Sequence, residues 1–217
     1  MNFGLTAALA LVAAAVAYLA FKSLNPDSAF AVAGDAGGDS VNPSADGANT
    51  PPPSGVAMQY NPLIAQAAKA AWIDPVLLKA IVATETGFRP DAINPEQDFI
   101  LDGVTYGQND QNGRRILVSW IKDGNDPASI GLNPSCGIAQ VRVSNGKKFI
   151  AGLDPWDLFD PSICLQAAAY LIRDDGTTLE TADMYNVGHG LNWFRGVRNA
   201  AYQAKVADFY SRFAGDF

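Results

Sequence analysis

The segment Asp74-Pro75-Val-Leu-Leu-Lys-Ala-Ile-Val-Ala-Thr-Glu85-Thr-Gly87-Phe-Arg-Pro90 constrains the fold most, because both ends of a helix are written into it. Asp74 is a good N-cap and Pro75 suits the first helical position. Gly87 and Pro90 supply the stop. Between them Leu77, Leu78, Ile81 and Val82 recur at the three- and four-residue spacing of a buried face. Glu85 continues that stripe, at the end where the helix dipole is negative. Desolvation and the dipole would both favour its protonated form, as a general acid requires. The alternative is a frayed helix end with Glu85 turned to solvent.

Other chemistries find little support in the 217 residues. A net charge of −7 and a sequence pI near 4.5 argue against a nucleic-acid footprint, which wants a basic face. One His (His189) and two Cys (Cys136 and Cys164) are too few for a four-ligand His/Cys metal site, so no metal and no cofactor is expected. Neither nucleotide-binding glycine signature occurs.

Three regions follow from composition. Residues 1–24 contain an uncharged Ala/Leu/Val-rich run, 3–21, of near membrane-spanning length, closed by Lys22. It predicts an N-terminal transmembrane anchor. A cleaved signal peptide is the rival, since Ala29-Phe30-Ala31 or Ala31-Val32-Ala33 could be cut. Residues 25–57, rich in Gly, Pro, Ser and Asp, predict a disordered linker with a reach of roughly 30 Å. Residues 58–217 predict the folded domain.

Within that domain, Asn61 can cap and Pro62 can open a helix with Leu63, Ile64, Ala67, Ala68, Ala71 and Trp72 as its buried stripe. Phe99-Ile-Leu101 and Val104-Thr-Tyr106 flank Asp102-Gly103, the signature of a type I′ hairpin. The apolar run 116–121 fits helix or strand. Asp160-Pro161 opens another helix, a further one ends at Tyr185-Asn186-Val187-Gly188, and the last, from about Val197 to Phe213, puts Tyr202, Val206, Phe209 and Phe213 on one face. The fold class is mainly α with a small β element.

Glu85-Thr86-Gly87-Phe88 resembles the E-S-x-F motif of goose-lysozyme-like lytic transglycosylases of the SLT type. Gly137-Ile138-Ala139-Gln140-Val141 is similar to their G-L-M-Q-I, and Tyr185-Asn186-Val187-Gly188 to their A-Y-N-A-G. Asp160-Pro161 through Tyr170-Leu171 resembles the helix between them. Thr86 replaces Ser, Ala139 replaces Met, Ile163 replaces Asn, Ala167 replaces Gly, and His189 stands where Pro is common. The 95–134 stretch is longer than the family's usual connection.

The resemblance implies a lysozyme-like (goose-type) α domain with a β-hairpin insertion. It implies peptidoglycan glycan strands as partner and substrate, cut between N-acetylmuramic acid and N-acetylglucosamine to leave a 1,6-anhydro end. Glu85 would be the single acid and base, with Tyr185 reaching it through its hydroxyl. Tyr185 could instead be an aromatic packed at a helix end. Thr86, Gly137, Gln140 and Asn186 are the substrate-binding candidates. Against these stand a Thr bonded to backbone, a Gly allowing close approach, a buried structural amide and a turn-fixing Asn. His189 is expected at the groove edge. Cys136 and Cys164 could form a bridge worth about 3 to 4 kcal/mol, or remain buried thiols.

The expected setting is a membrane-anchored enzyme facing peptidoglycan, delivered by a larger virion or by a bacterial secretion or conjugation assembly. Two other functions fit the sequence: a hydrolytic muramidase using Asp98 or Asp102, and a non-catalytic glycan-binding structural protein.

Overall fold

The computed structural model describes residues 54–187 and 196–217. The predicted span at 3–21 and nearly all of the linker lie outside them, as does His189. Among the described residues no helix is long and apolar enough to cross a membrane. Helix α1 (Ser54–Gln59) begins before the expected domain start at residue 58, and Ala57 is already buried.

Helix α2 (Asn61–Ala71) presents Ile64, Ala67, Ala68 and Ala71 to the interior. Two expectations at its ends need correction. Asn61 does not cap it; its Oδ1 accepts a bond from the Lys79 ammonium at 2.6 Å. Trp72 does not join the buried stripe, because it takes the left-handed C-cap position (φ 59°), which swings its ring off the face and leaves it 90% exposed.

Helix α3 (Pro75–Thr86) forms as its punctuation requires. The Asp74 carboxylate accepts from the Val76 amide at 2.8 Å, and Gly87 closes the helix at φ 59°. Every residue from Val76 to Ala83 is buried, so α3 is a central helix surrounded by others, not a one-sided surface helix. It packs against α2, against α6 (Pro161–Asp175) and most extensively against α8 (Ala200–Phe213). Alanines on the facing sides of α2 and α6, among them Ala67, Ala68, Ala167 and Ala168, let those two helices pack closely.

Two small sheets flank this core. β2 (Phe99–Leu101) and β3 (Val104–Tyr106) pair antiparallel, Phe99 opposite Tyr106. Asp102 (φ 50°) and Gly103 (φ 77°) make the turn with both central residues left-handed, as type I′ demands. The second sheet, β1 (Ile93–Asn94), β4 (Ser135–Cys136) and β5 (Val141–Arg142) in the order β1-β4-β5, was not expected. The run 116–121 is helical, within α4 (Gln111–Lys122). The Asp110 carboxylate caps it, and Gly113, Leu117 and Ile121 are buried at four-residue spacing. After β5 come α5 (Val143–Phe149), α6 capped by Asp160, and the short α7 (Asp183–Val187). Cys136 and Cys164 are buried free thiols. Cys164 Sγ donates to the Cys136 carbonyl at 3.5 Å, and burial pushes both thiols up in pKa.

Candidate active site

Glu85 lies in the last turn of α3, half-buried, where α8 crosses. The Tyr202 hydroxyl of α8 donates to Glu85 Oε1 at 2.7 Å. Burial raises the Glu85 pKa to about 7; the Tyr202 bond and the Lys205 cation pull it down, and the Glu96 carboxylate pushes it up. Desolvation is the largest influence, and among the described residues Tyr202 is the one hydrogen-bond donor to the carboxylate. A carboxyl raised to about 7 can hold its proton near neutral pH, which suits a proton donor. Tyr202 stays a neutral phenol, its pKa raised well above the ordinary value by burial and by the adjoining Glu85.

The anticipated contact between Tyr185 and Glu85 is not formed. The buried Tyr185 hydroxyl donates instead to the Ala139 carbonyl at 2.8 Å. It lies close enough to Glu85 for that carboxylate to raise its pKa further, after burial. The phenol on the acid is Tyr202. The sequence pattern puts Tyr202 on one face of the last helix with Val206, Phe209 and Phe213 and gives it no role at the site. The available signal was its hydroxyl, which needs a partner when a tyrosine is buried among Val206 and Phe209.

Three of the remaining predicted residues, Thr86, Gly137 and Gln140, converge on the 137–140 turn. Thr86 is buried, and its Oγ1 donates to the Ile138 carbonyl at 2.6 Å while accepting from the Arg89 amide at 3.2 Å. This ties the end of α3 to the turn. Gly137 has φ 75°, and its amide donates to the Ala92 carbonyl at 2.8 Å. A Cβ there would sit 1.9 Å from the Leu158 carbonyl oxygen, so the close approach this glycine permits is to the protein's own backbone. Gln140, itself left-handed at φ 51°, donates from Nε2 to the carbonyls of Ala92 and Gly137, both at 3.1 Å.

Asn186 acts one step removed from Glu85. Its Oδ1 accepts from Asn199 Nδ2 at 2.8 Å, and Asn199 Oδ1 caps α8 by accepting from the Tyr202 amide at 3.0 Å. Fully buried Asp183 anchors the same junction through Arg198 Nε at 2.6 Å and Nη2 at 3.0 Å. The motif around Tyr185 thus fixes the start of the helix that carries Tyr202.

The carboxylates of the 95–134 stretch are mostly engaged locally. Asp98 accepts from the Gln108 amide at 2.8 Å, and Asp110 caps α4. Glu96, left-handed at φ 70°, is the one whose charge Glu85 feels. It accepts from Ser135 Oγ at 2.7 Å and pairs with Arg142 at 3.2 Å. Among the described residues no group of three His, Cys, Asp or Glu could hold a metal ion.

The transglycosylase SLT domain matches residues 62–206, which takes in Glu85, the 137–140 turn, Tyr185 and Tyr202. The chain belongs to the SLT transglycosylase family. That membership supports lytic transglycosylase activity on peptidoglycan glycan strands, and the mainly helical architecture agrees with the lysozyme-like fold. Comparison with curated proteins and with solved structures returned no match.

Proposed function

We propose that this SLT domain cuts the β-1,4 bond between N-acetylmuramic acid and N-acetylglucosamine and closes a 1,6-anhydro ring, with Glu85 as acid and then base. The observation that carries the reading is a half-buried carboxyl with a pKa of about 7, held by the Tyr202 hydroxyl at a helix end. Protonated Glu85 gives its proton to the leaving glucosamine oxygen as the C1–O bond breaks. The substrate's own N-acetyl group stabilises C1 in the interval. The carboxylate then takes the proton of the muramyl 6-hydroxyl as O6 bonds to C1, which returns Glu85 to its starting state. Tyr202 orients the carboxyl, and Tyr185 acts through the Ala139 carbonyl by fixing the 137–140 turn.

The placement of the enzyme rests on the sequence outside the described residues. An anchor at 3–21 and a linker over 25–53, up to the start of α1, would hold the domain at a membrane facing the wall. Local wall opening by a phage virion or by a secretion or conjugation machine fits such a tethered enzyme.

One observation favours a second reading. Glu96 is a second carboxylate whose charge reaches Glu85, and glycosidases that hydrolyse use two. In a hydrolytic muramidase it would replace Asp98 or Asp102 as the group that holds water.

Mass spectrometry of released muropeptides tests both. Anhydro ends, lighter by one water than reducing ends, are expected from the wild type. Glu85→Gln should lower release by at least about 100-fold with circular dichroism unchanged, since the amide keeps the volume and loses the proton. Hydrated ends that vanish in Glu96→Gln would establish hydrolysis instead. Undiminished release by folded Glu85→Gln would overturn the assignment.

A further inference from the structure

We propose that Lys205 is a positioning residue for the reaction: its ammonium, fixed at the end of the helix that carries Glu85, stabilises the carboxylate that forms when the proton leaves. The inference rests on the reaction read above and names a residue that lies outside all the motifs of the sequence.

The placement is geometric. Lys205 follows Tyr202 by three residues on α8, so the two side chains share a face of that helix, the one that crosses α3. From this face Tyr202 donates to Glu85 Oε1 at 2.7 Å. Lys205 Nζ donates to the Thr84 carbonyl at 3.2 Å, one peptide bond before Glu85. The ammonium therefore stands within about 6 Å of the Glu85 Cα. Lys205 is half-buried, as Glu85 is.

A helix end leaves carbonyls that its own amides no longer reach, and other groups take the neighbours of Thr84. The Gly87 amide bonds the Ala83 carbonyl, and Arg89 Nε bonds that of Thr86. A cation on the Thr84 carbonyl meets the same need and sits well at the negative end of the helix dipole. Capping alone would be served by any cation near that end. Lys205 instead arrives from α8 beside the phenol that holds the acid, and between half-buried charges screening is weak. The influence runs both ways: Lys205 pulls the Glu85 pKa down, and Glu85 pushes back up a Lys205 pKa that burial lowers.

Among the described residues, the titratable groups that act on Glu85 are Tyr202 and Lys205 from α8 and Glu96 from the stretch after β1, with Tyr185 of α7 close by. Both phenols stay neutral, their pKa values raised well above the ordinary one. The charges left are Lys205 and Glu96, opposite in sign, and Lys205 has the larger effect. As Glu85 gives its proton to the leaving oxygen, negative charge grows on a half-buried carboxyl. An ammonium already fixed in place stabilises that charge without having to move.

Titration of Glu85 in the full chain, labelled with carboxyl-13C glutamate and followed by NMR, tests this without turnover. The sequence holds three glutamates, Glu85, Glu96 and Glu180, and the Glu85 signal is the one lost in Glu85→Gln. Its midpoint should lie at about 7 in the wild type. Lys205→Met should raise it by roughly one pH unit, and Lys205→Arg, which keeps the charge, should return it toward the wild-type value. The alkaline limb of kcat/KM for muropeptide release should move with the midpoint. If Lys205→Met fails to fold, Lys205→Gln keeps a donor for the Thr84 carbonyl, removes the charge and should raise the midpoint likewise. A capping role alone lowers stability and leaves the midpoint in place, so an unmoved midpoint in either folded variant overturns the proposal. A wild type that released no muropeptide would remove the catalytic reading instead, and the titration would still report the pairing.

Discussion

Among the described residues a single hydroxyl, that of Tyr202, is bonded to Glu85, and its removal has a predictable sign. Tyr202 donates to Oε1 and thereby favours the ionised form, while burial favours the protonated form and prevails. An enzyme that needs protonated Glu85 should lose kcat/KM as pH rises through about 7. Tyr202→Phe removes the donor, so the Glu85 pKa rises and the alkaline limb moves to higher pH. The rate at the optimum should fall roughly tenfold, because a hydrogen bond to a charged group is lost and the carboxyl is no longer held in place. A pH profile of muropeptide release on both proteins checks it, and an unmoved alkaline limb would contradict the role. Glu85 itself was legible because its caps and its stripe are local. Its partner was not, since the Tyr202 contact spans 117 positions of chain and arises from how α8 crosses α3.

Elements were readable where each has its own punctuation. α3, α6 and the hairpin each carry it: Asp-Pro at the start of both helices, Asp-Gly at the turn. The β1-β4-β5 sheet has strands of two residues, too short for any alternation to show, and its pairing is set by the Gly137 amide and the Gln140 side chain gathering the Ala92 carbonyl. Residues 116–121 were ambiguous because a short apolar run has no period of its own; the Asp110 cap resolves it as helix. The 137–140 turn is the element on which Thr86, Tyr185 and Gln140 all depend, and Gly137 is its tightest point. Gly137→Ala would place a methyl 1.9 Å from the Leu158 oxygen at a φ of 75°. Strain and overlap together should cost at least about 3 kcal/mol. Denaturant unfolding measures it, and a loss under 1 kcal/mol, on the order of an ordinary surface change, would show that the turn shifts freely.

At the scale of the whole molecule, the chain's last residues close over the central helix, a contact that no local pattern announces. Lys79, on α3, is wholly buried, an unusual place for an ammonium group. Sequence reading gave it no role, because a lysine between Leu78 and Ala80 looks like the solvent side of an amphipathic helix. In the fold its Nζ is paired with the Asp216 carboxylate and bonded to Asn61 Oδ1, and it lies 4.6 Å from the centre of the Phe213 ring. Asn61 Nδ2 also reaches the Asp216 carbonyl at 3.5 Å, so α2, α3 and the segment after α8 meet at one cation. A buried ion pair gives little net stability over an apolar replacement, but removing one partner leaves a charge stranded. Asp216→Asn should therefore destabilise the domain by about 3 kcal/mol, and adding Lys79→Met should recover most of that loss. Chemical denaturation of the single and double variants distinguishes the two terms. If Asp216→Asn unfolds at the wild-type midpoint, water or Asn61 satisfies the ammonium alone. The closing segment would then not hold α8, and with it Tyr202, against the helix that carries Glu85.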